Sequence, residues 1–207
     1  MSKALAQKLR ISLPDRDGMD DDQQRVYSQI VDGRRGKLVG PLRAALHVPR
    51  LAEQWSKLGE SLRFGTRLPP RLSELAVLMT ARFWNSEVEW SIHRTIAQAA
   101  GLDDAIIDAI RDGSAPILTD PLDREIYSFV SQLLNTTNVT DAAYDQVLAR
   151  WGEGGVVELT ALVGYYGMVA LTLNVHGIPL PNSVEEHLKT REIHPPKAPS
   201  FLPGLTD

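Results

Sequence analysis

The chain has 207 residues, no cysteine, and a formal net charge of −4 from 22 basic and 26 acidic side chains. With no cysteine there is no disulfide, no cysteine zinc site and no thiol nucleophile. An acidic balance without a basic run argues against nucleic acid as a partner, because phosphate contacts dominate such binding. Apolar residues at 43% and charged residues at 23% fit a folded globular chain.

The predicted elements are helical nearly throughout. Asp20, Asp21 and Asp22 precede Val26, Tyr27, Ile30 and Val31, and acids ahead of apolar residues at spacings of three and four mark a helix start. Gly33 and Gly36 end that helix. Pro41 opens a short helix through Leu46, and Pro49 opens another with Leu51, Trp55, Leu58 and Leu62 on one stripe. Gly65 and Pro69-Pro70 interrupt the chain. From Pro70, Leu72, Leu75, Leu78 and Met79 line a helix ending near Trp84-Asn85. The next helix runs from about Ser86 to Gly101, with Ser86 and Glu89 at capping-box spacing. Ile106, Ile107 and Ile110 form a short helix stopped by Gly113 and Pro116. Asp120-Pro121 starts a helix through Leu134, and Thr140-Asp141 starts one to Trp151. Gly154-Gly155 leads into an apolar helix through Leu173. No alternating β-branched run lies between turn signals, so the fold class is all-α.

Met1 to Arg10 lack the apolar run of a secretory signal. Leu159 to Leu173 is shorter than the roughly 20 apolar residues of a membrane span and reads as a buried core helix. These features point to a cytoplasmic protein without membrane contact. The reading is one domain over residues 1–207, with a core at about 20–177 and a Pro-rich C-terminal arm at 178–207. The arm is either a loose terminus or an extended segment lying on its own body or on a neighbour. Glu74-Leu75…Leu78 echoes Glu158-Leu159…Leu162, and Asp20…Tyr27 echoes Asp120…Tyr127, so two related helical halves are one reading. The second half has no counterpart of Glu89 or His93, which assigns any chemistry to the first.

Glu89 and His93 are four apart on one predicted helix and share a face. A carboxylate beside an imidazole fixes its tautomer and suits proton transfer. Glu74 lies on the preceding helix and reaches His93 if the two helices form a hairpin. Arg82 or Arg63 can hold an acidic substrate, since guanidinium matches carboxylate. A Glu-x-x-x-His pair is also frequent at surfaces and core edges without any catalytic role. Glu89 has a further reading as the acid of a capping box. A shared metal ion is a third reading of the pair, but His47, His176, His187 and His194 are scattered and do not support it. Trp84 and Trp90 read as core.

With their surroundings, these residues resemble the carboxymuconolactone decarboxylase-like family of the alkylhydroperoxidase D superfamily. The carriers are Phe64-Gly65-Thr66-Arg67-Leu68-Pro69-Pro70-Arg71, Glu74-Leu75-Ala76-Val77-Leu78, Glu89-Trp90-Ser91-Ile92-His93, Ala100-Gly101-Leu102, and Val163-Gly164-Tyr165-Tyr166 through Leu173-Asn174 to Pro179-Leu180-Pro181. They cover the chain from roughly Arg25 to Pro181. The resemblance implies an all-α helical bundle around a helical hairpin, and a homo-oligomer. The superfamily's peroxidase branch carries Cys-x-x-Cys-x-x-x-His after a glutamate. Laid on this chain, the cysteines fall on Ser86 and Glu89, the histidine on His93 and the glutamate on Glu74. Proton-handling groups are kept and both redox sulfurs are missing, which removes the thiol route. The decarboxylase branch implies a carbon–carbon lyase with no cofactor and no metal, acting on a small carboxylated lactone in aromatic catabolism. His93, Glu89 and Glu74 are then the catalytic candidates, and Arg82, Arg63, Ser86 and Tyr165 the substrate-binding ones. Tyr166 is an alternative donor to Tyr165. A non-catalytic binder of a small acid is the rival reading.

Overall fold

A computed structural model describes residues 8–181 together with Glu185, His187 and Leu188. Among the described residues there are eight α-helices and no strand. They are α1 Asp21–Asp32, α2 Gly40–Ala45, α3 Pro49–Phe64, α4 Pro70–Phe83, α5 Glu87–Ala99, α6 Asp104–Asp112, α7 Pro121–Thr136 and α8 Asp141–His176. A short 3₁₀ turn at Arg16–Gly18 precedes them and has no signal in the apolar spacing. The all-α expectation holds, and the helix starts follow the punctuation. Asp20 caps α1 in a full capping box with Gln23, Asp120 caps α7, and prolines occupy the first turns of α2, α3, α4 and α7.

The chain divides into two compact units. One is built from residues up to Gly65 together with Thr172–Pro179. There α3 packs on α1 and α2, and Val26, Ile30, Leu42, Leu46 and Ala52 are buried. The other contains Thr66–Leu171 and the residues from Leu180. Its centre is α4, which packs on α5, α6 and α7. Leu72, Leu75, Leu78, Met79, Trp90, Ile107, Ile126, Tyr127, Phe129 and Leu159 are fully enclosed. Each such side chain contributes roughly 1.5–3 kcal/mol by leaving water, so the apolar rows of α4 and α7 are what hold α4 in the middle.

Helix α8 breaks at Gly152, whose φ of 68° and ψ of −178° are not helical, between the two helices that the sequence reading ends at Trp151 and begins at Gly154-Gly155. Asp141–His176 is long and apolar enough to cross a membrane by length and composition, yet more than half of its most apolar stretch is buried in the fold. Two arginines tie it and α7 into the same unit. Arg67 binds Glu158 through its guanidinium and its backbone N–H, the latter at 2.8 Å. Arg71, at the start of α4, binds Asp123 and, at 2.7 Å, Asp120. The glutamate that echoes Glu74 in the second half is therefore engaged by an arginine.

Candidate functional site

The hairpin of α4 and α5 builds the site. Helix α4 ends in a Schellman motif. The Asn85 N–H donates to the Arg82 carbonyl at 3.0 Å and the Ser86 N–H to the Ala81 carbonyl at 2.9 Å, with Asn85 left-handed at φ 49°. Asparagine tolerates that conformation better than other side chains. Arg82 locks the turn. Its Nη1 donates to Asn85 Oδ1 at 3.1 Å, and its Nε to the Arg111 carbonyl near the end of α6 at 2.7 Å. Burial pulls this guanidinium below its ordinary value, and Asp112 works in the opposite direction. Arg82, expected to hold a substrate acid, thus spends these donors on the turn. Three residues after α4 ends, α5 begins, and the two helices run back against each other.

This arrangement brings Glu74, Glu89 and His93 together. His93 Nδ1 lies 2.7 Å from Glu74 Oε2, across the hairpin. On the other side of the ring, Nε2 lies 3.8 Å from Glu89 Oε1, one turn back on α5. All three residues are buried. Tyr166 of α8 packs edge-on against the imidazole with ring centres 4.9 Å apart, and Tyr165 packs edge-on against Tyr166 at 5.2 Å. Tyr166, the alternative donor in the sequence reading, thus packs on His93. Gly167 lets α8 come close to the hairpin turn, since a Cβ there would sit 3.1 Å from Trp84 Nε1.

Ser86 occupies the N-cap position of α5, but its hydroxyl makes no capping bond, so the expected capping box is absent. The Oγ is buried without a hydrogen-bond partner among the described residues, and so is the Trp90 indole N–H. Glu89, in the first turn of α5, lies 3.8 Å from His93 Nε2. Arg63 lies in the other unit with its guanidinium over the Phe64 ring, 5.4 Å from the centroid.

Glu87, in the first turn of α5, has no role in the sequence reading. It is buried, and its carboxylate accepts from the backbone N–H of His187 at 2.7 Å, the N–H of Leu188 at 2.6 Å and the Ser91 hydroxyl at 2.5 Å. His187 and Leu188 of the arm are therefore seated on the helix that carries the site, and Leu188 is buried. Only the Glu-x-x-x-Ser spacing to Ser91 hinted at this; the contact with the arm spans a hundred residues.

The chemistry of this set follows from its two faces. The hydrogen bond with Glu74 orients the imidazole through Nδ1 and leaves Nε2 as the nitrogen turned toward Glu89. At 3.8 Å, Nε2 is beyond hydrogen-bond length from Glu89. It is therefore the ring nitrogen that is hydrogen-bonded to neither glutamate.

No family model matches the chain, and no curated protein matches it in sequence. Solved structures do match in three dimensions. An uncharacterised peroxidase-related protein from Ralstonia eutropha JMP134, described as an alkylhydroperoxidase AhpD core, superposes with a TM-score of 0.67 over 84% of this chain and 93% of its own, at 13% identity. The chain has the alkylhydroperoxidase D-like fold. A peroxidase-related protein from Silicibacter sp. TM1040 shares this fold at a TM-score of 0.65 and 11% identity, over 91% of this chain and 98% of its own. So does the debrominase Bmp8, in a cysteine-to-alanine variant bound to 2,3,4-tribromopyrrole, at a TM-score of 0.62 and 12% identity, over 87% and 95%. Alkylhydroperoxidase D-like proteins thus include enzymes, and the helical hairpin expected from the resemblance is present here.

Proposed function

We propose that this chain is a cysteine-free lyase of the alkylhydroperoxidase D-like fold that decarboxylates a small carboxylated lactone by acid/base chemistry at His93. The observation that carries the reading is the buried imidazole with a carboxylate on each ring nitrogen, Glu74 at 2.7 Å and Glu89 at 3.8 Å. Loss of carbon dioxide leaves an electron pair that a conjugated carbonyl accepts, and a proton must then be added to carbon. Glu74 orients the ring, His93 Nε2 exchanges the proton, and Glu89 receives or returns it. The Ser86 hydroxyl, buried with no partner, supplies a donor for the oxygen on which charge develops. Reduction of peroxide through a thiol is not available to a chain without cysteine.

The test is carbon dioxide release and the ultraviolet change with γ-carboxymuconolactone and related lactone acids. Wild type is run beside His93→Ala and Glu89→Gln. Turnover in the wild type, lost in both variants with helicity unchanged by circular dichroism, supports the reading. Binding of these acids with no turnover in any form favours the rival, a non-catalytic binder of small acids.

A further inference from the structure

Helix α5 carries a second stripe beside the one that holds Glu89 and His93. Ser86, Trp90 and Arg94 follow one another at spacings of four, which keeps side chains on one helix face. Ser86 also stands three residues before Glu89, and Trp90 three before His93, so the two stripes adjoin. Each member of the second stripe has a buried donor without an acceptor among the described residues: Ser86 Oγ, Trp90 Nε1 and Arg94 Nε. Ser86 and Trp90 are fully enclosed, and Arg94 is half-buried. Native interiors rarely leave one such group unpaired. Three on a single stripe exceed what the packing of an apolar core explains.

Arg94 also differs from the other cations of its unit. No lysine occurs from Thr66 to Leu171. Of the other arginines in that span, Arg67, Arg71, Arg111 and Arg150 bind carboxylates, while Arg82 and Arg124 donate to backbone carbonyls. No such acceptor stands against Arg94 among the described residues. The two arginines expected from the sequence to hold a substrate acid are placed otherwise, Arg82 on the hairpin turn and Arg63 in the other unit.

The chemistry of the stripe selects its ligand. An indole and a guanidinium only donate, and a hydroxyl can donate, so the ligand must bring acceptors. A guanidinium matches a carboxylate. Successive positions are about 6 Å apart along the axis at 1.5 Å per residue, so a carboxylate at Arg94 leaves a second oxygen of a small molecule to the donors further in. We infer that Arg94 anchors a carboxylate of the substrate and that Trp90 Nε1 and Ser86 Oγ receive another of its oxygens, which sets the molecule along the Glu89–His93 stripe. The inference rests on the reading above for the substrate's being a carboxylated lactone. Trp90 is thus both core, as its sequence context suggests, and a donor to the ligand. Ser86 and Trp90 are enclosed in this conformation, so an oxygen reaches them only as the packing over α5 opens, and association is slower than diffusion.

The experiment is isothermal titration of the full chain with γ-carboxymuconolactone and with its neutral dimethyl ester, run beside carbon dioxide release. Arg94→Gln is expected to weaken binding of the acid about ten- to hundredfold, the range for a hydrogen bond to a charged group, and to leave the ester unchanged. Arg94→Lys recovers part of the loss. Trp90→Phe keeps a ring in the core and is expected to weaken both ligands about two- to tenfold, as is Ser86→Ala. Without ligand, Trp90→Phe is expected to melt no lower than wild type, because the N–H it removes has no partner; an indole that served only the core would not weaken the ligand. Equal affinity of wild type and Arg94→Gln for the acid overturns the inference. So does unchanged affinity in both Trp90→Phe and Ser86→Ala, and so does a wild type that binds no acid at about 10 mM. Turnover with the same KM in wild type and Arg94→Gln rejects the donor stripe and leaves decarboxylation standing. Binding of the acid that depends on Arg94, without carbon dioxide release, supports the stripe and rejects decarboxylation. If Arg94→Gln loses helicity by circular dichroism, the acid-to-ester affinity ratio of Arg94→Lys decides.

Discussion

His93 lies between two carboxylates at different distances, Glu74 at 2.7 Å from Nδ1 and Glu89 at 3.8 Å from Nε2. In the proposed reading the first orients the ring and the second trades a proton with it. Under the decarboxylation reading, Glu74→Gln keeps the size of the side chain but loses the charged acceptor. Its kcat is expected to fall about 10²–10⁴-fold, the usual worth of positioned acid/base groups, with KM nearly unchanged. Steady-state kinetics of carbon dioxide release measures this. Glu87 is a buried carboxylate of another kind, since its partners are two backbone N–H groups and a hydroxyl. Removing an acceptor leaves buried donors unsatisfied at about 1–3 kcal/mol. Glu87→Ala is therefore expected to lower the urea midpoint and to speed cleavage of the arm near Leu188 by a nonspecific protease. An unchanged cleavage rate would mean that this carboxylate does not seat the arm in solution.

The α4–α5 hairpin depends on a turn whose requirements are local. Asn85 stands at φ 49°, where a β-branched side chain is strained by roughly 1–2 kcal/mol and glycine is not. Asn85→Gly is expected to unfold near the wild-type temperature even though it loses the Arg82 contact, while Asn85→Val unfolds several degrees lower. The link from α4 to α7 has a pH signature. Asp120 is held below its ordinary carboxylate value, chiefly by the Leu122 backbone N–H; burial opposes this, and Arg71 and Arg150 add to it. A depressed folded-state value means that the stabilisation is complete above the unfolded value, near pH 4, and fades as pH falls through the lower folded one. The melting temperatures of wild type and Asp120→Asn are thus expected to differ at pH 7 and to converge below about pH 4.

Such local features are why most helices were legible in the sequence. Asp20, Asp120, Pro41, Pro49 and Pro70 act through their own turn, and apolar spacing declares a face without reference to distant residues. The apparent capping box at Ser86 misled because the same two residue types also suit a buried hydroxyl and a proton carrier. Spacing cannot distinguish a side chain that turns back to its own backbone from one that faces another helix. The break in α8 was legible in the same way as the helix starts: one helix was read to end at Trp151 and the next to begin at Gly154-Gly155, and Gly152 between them is the residue that leaves the helical region.

At the scale of the whole molecule, the meeting of Glu74 with His93 was legible because the three-residue turn leaves two helices little choice but to run antiparallel. The Tyr166 contact and the seat of the arm on Glu87 depend on packing between segments far apart in sequence, which no local pattern encodes. The resemblance laid the two cysteines of the peroxidase branch on Ser86 and Glu89, and the structure puts these at the N-cap and third position of α5. Residues so spaced fall within the roughly 4.4–6.8 Å Cα separation that a disulfide requires, and a helix N-terminus favours a thiolate. If the fold is indifferent to which chemistry it carries, the double variant S86C/E89C should have two free thiols when reduced and none after one equivalent of peroxide. Addition of His93→Ala should slow that oxidation, and either cysteine alone should not form the internal bond. Thiol counting with a chromogenic disulfide measures all four forms. Persistence of both thiols under peroxide would mean that the start of α5 has been reshaped around proton transfer. Loss of the thiols would locate the difference between the two chemistries in these two side chains, with Glu74 and His93 serving both.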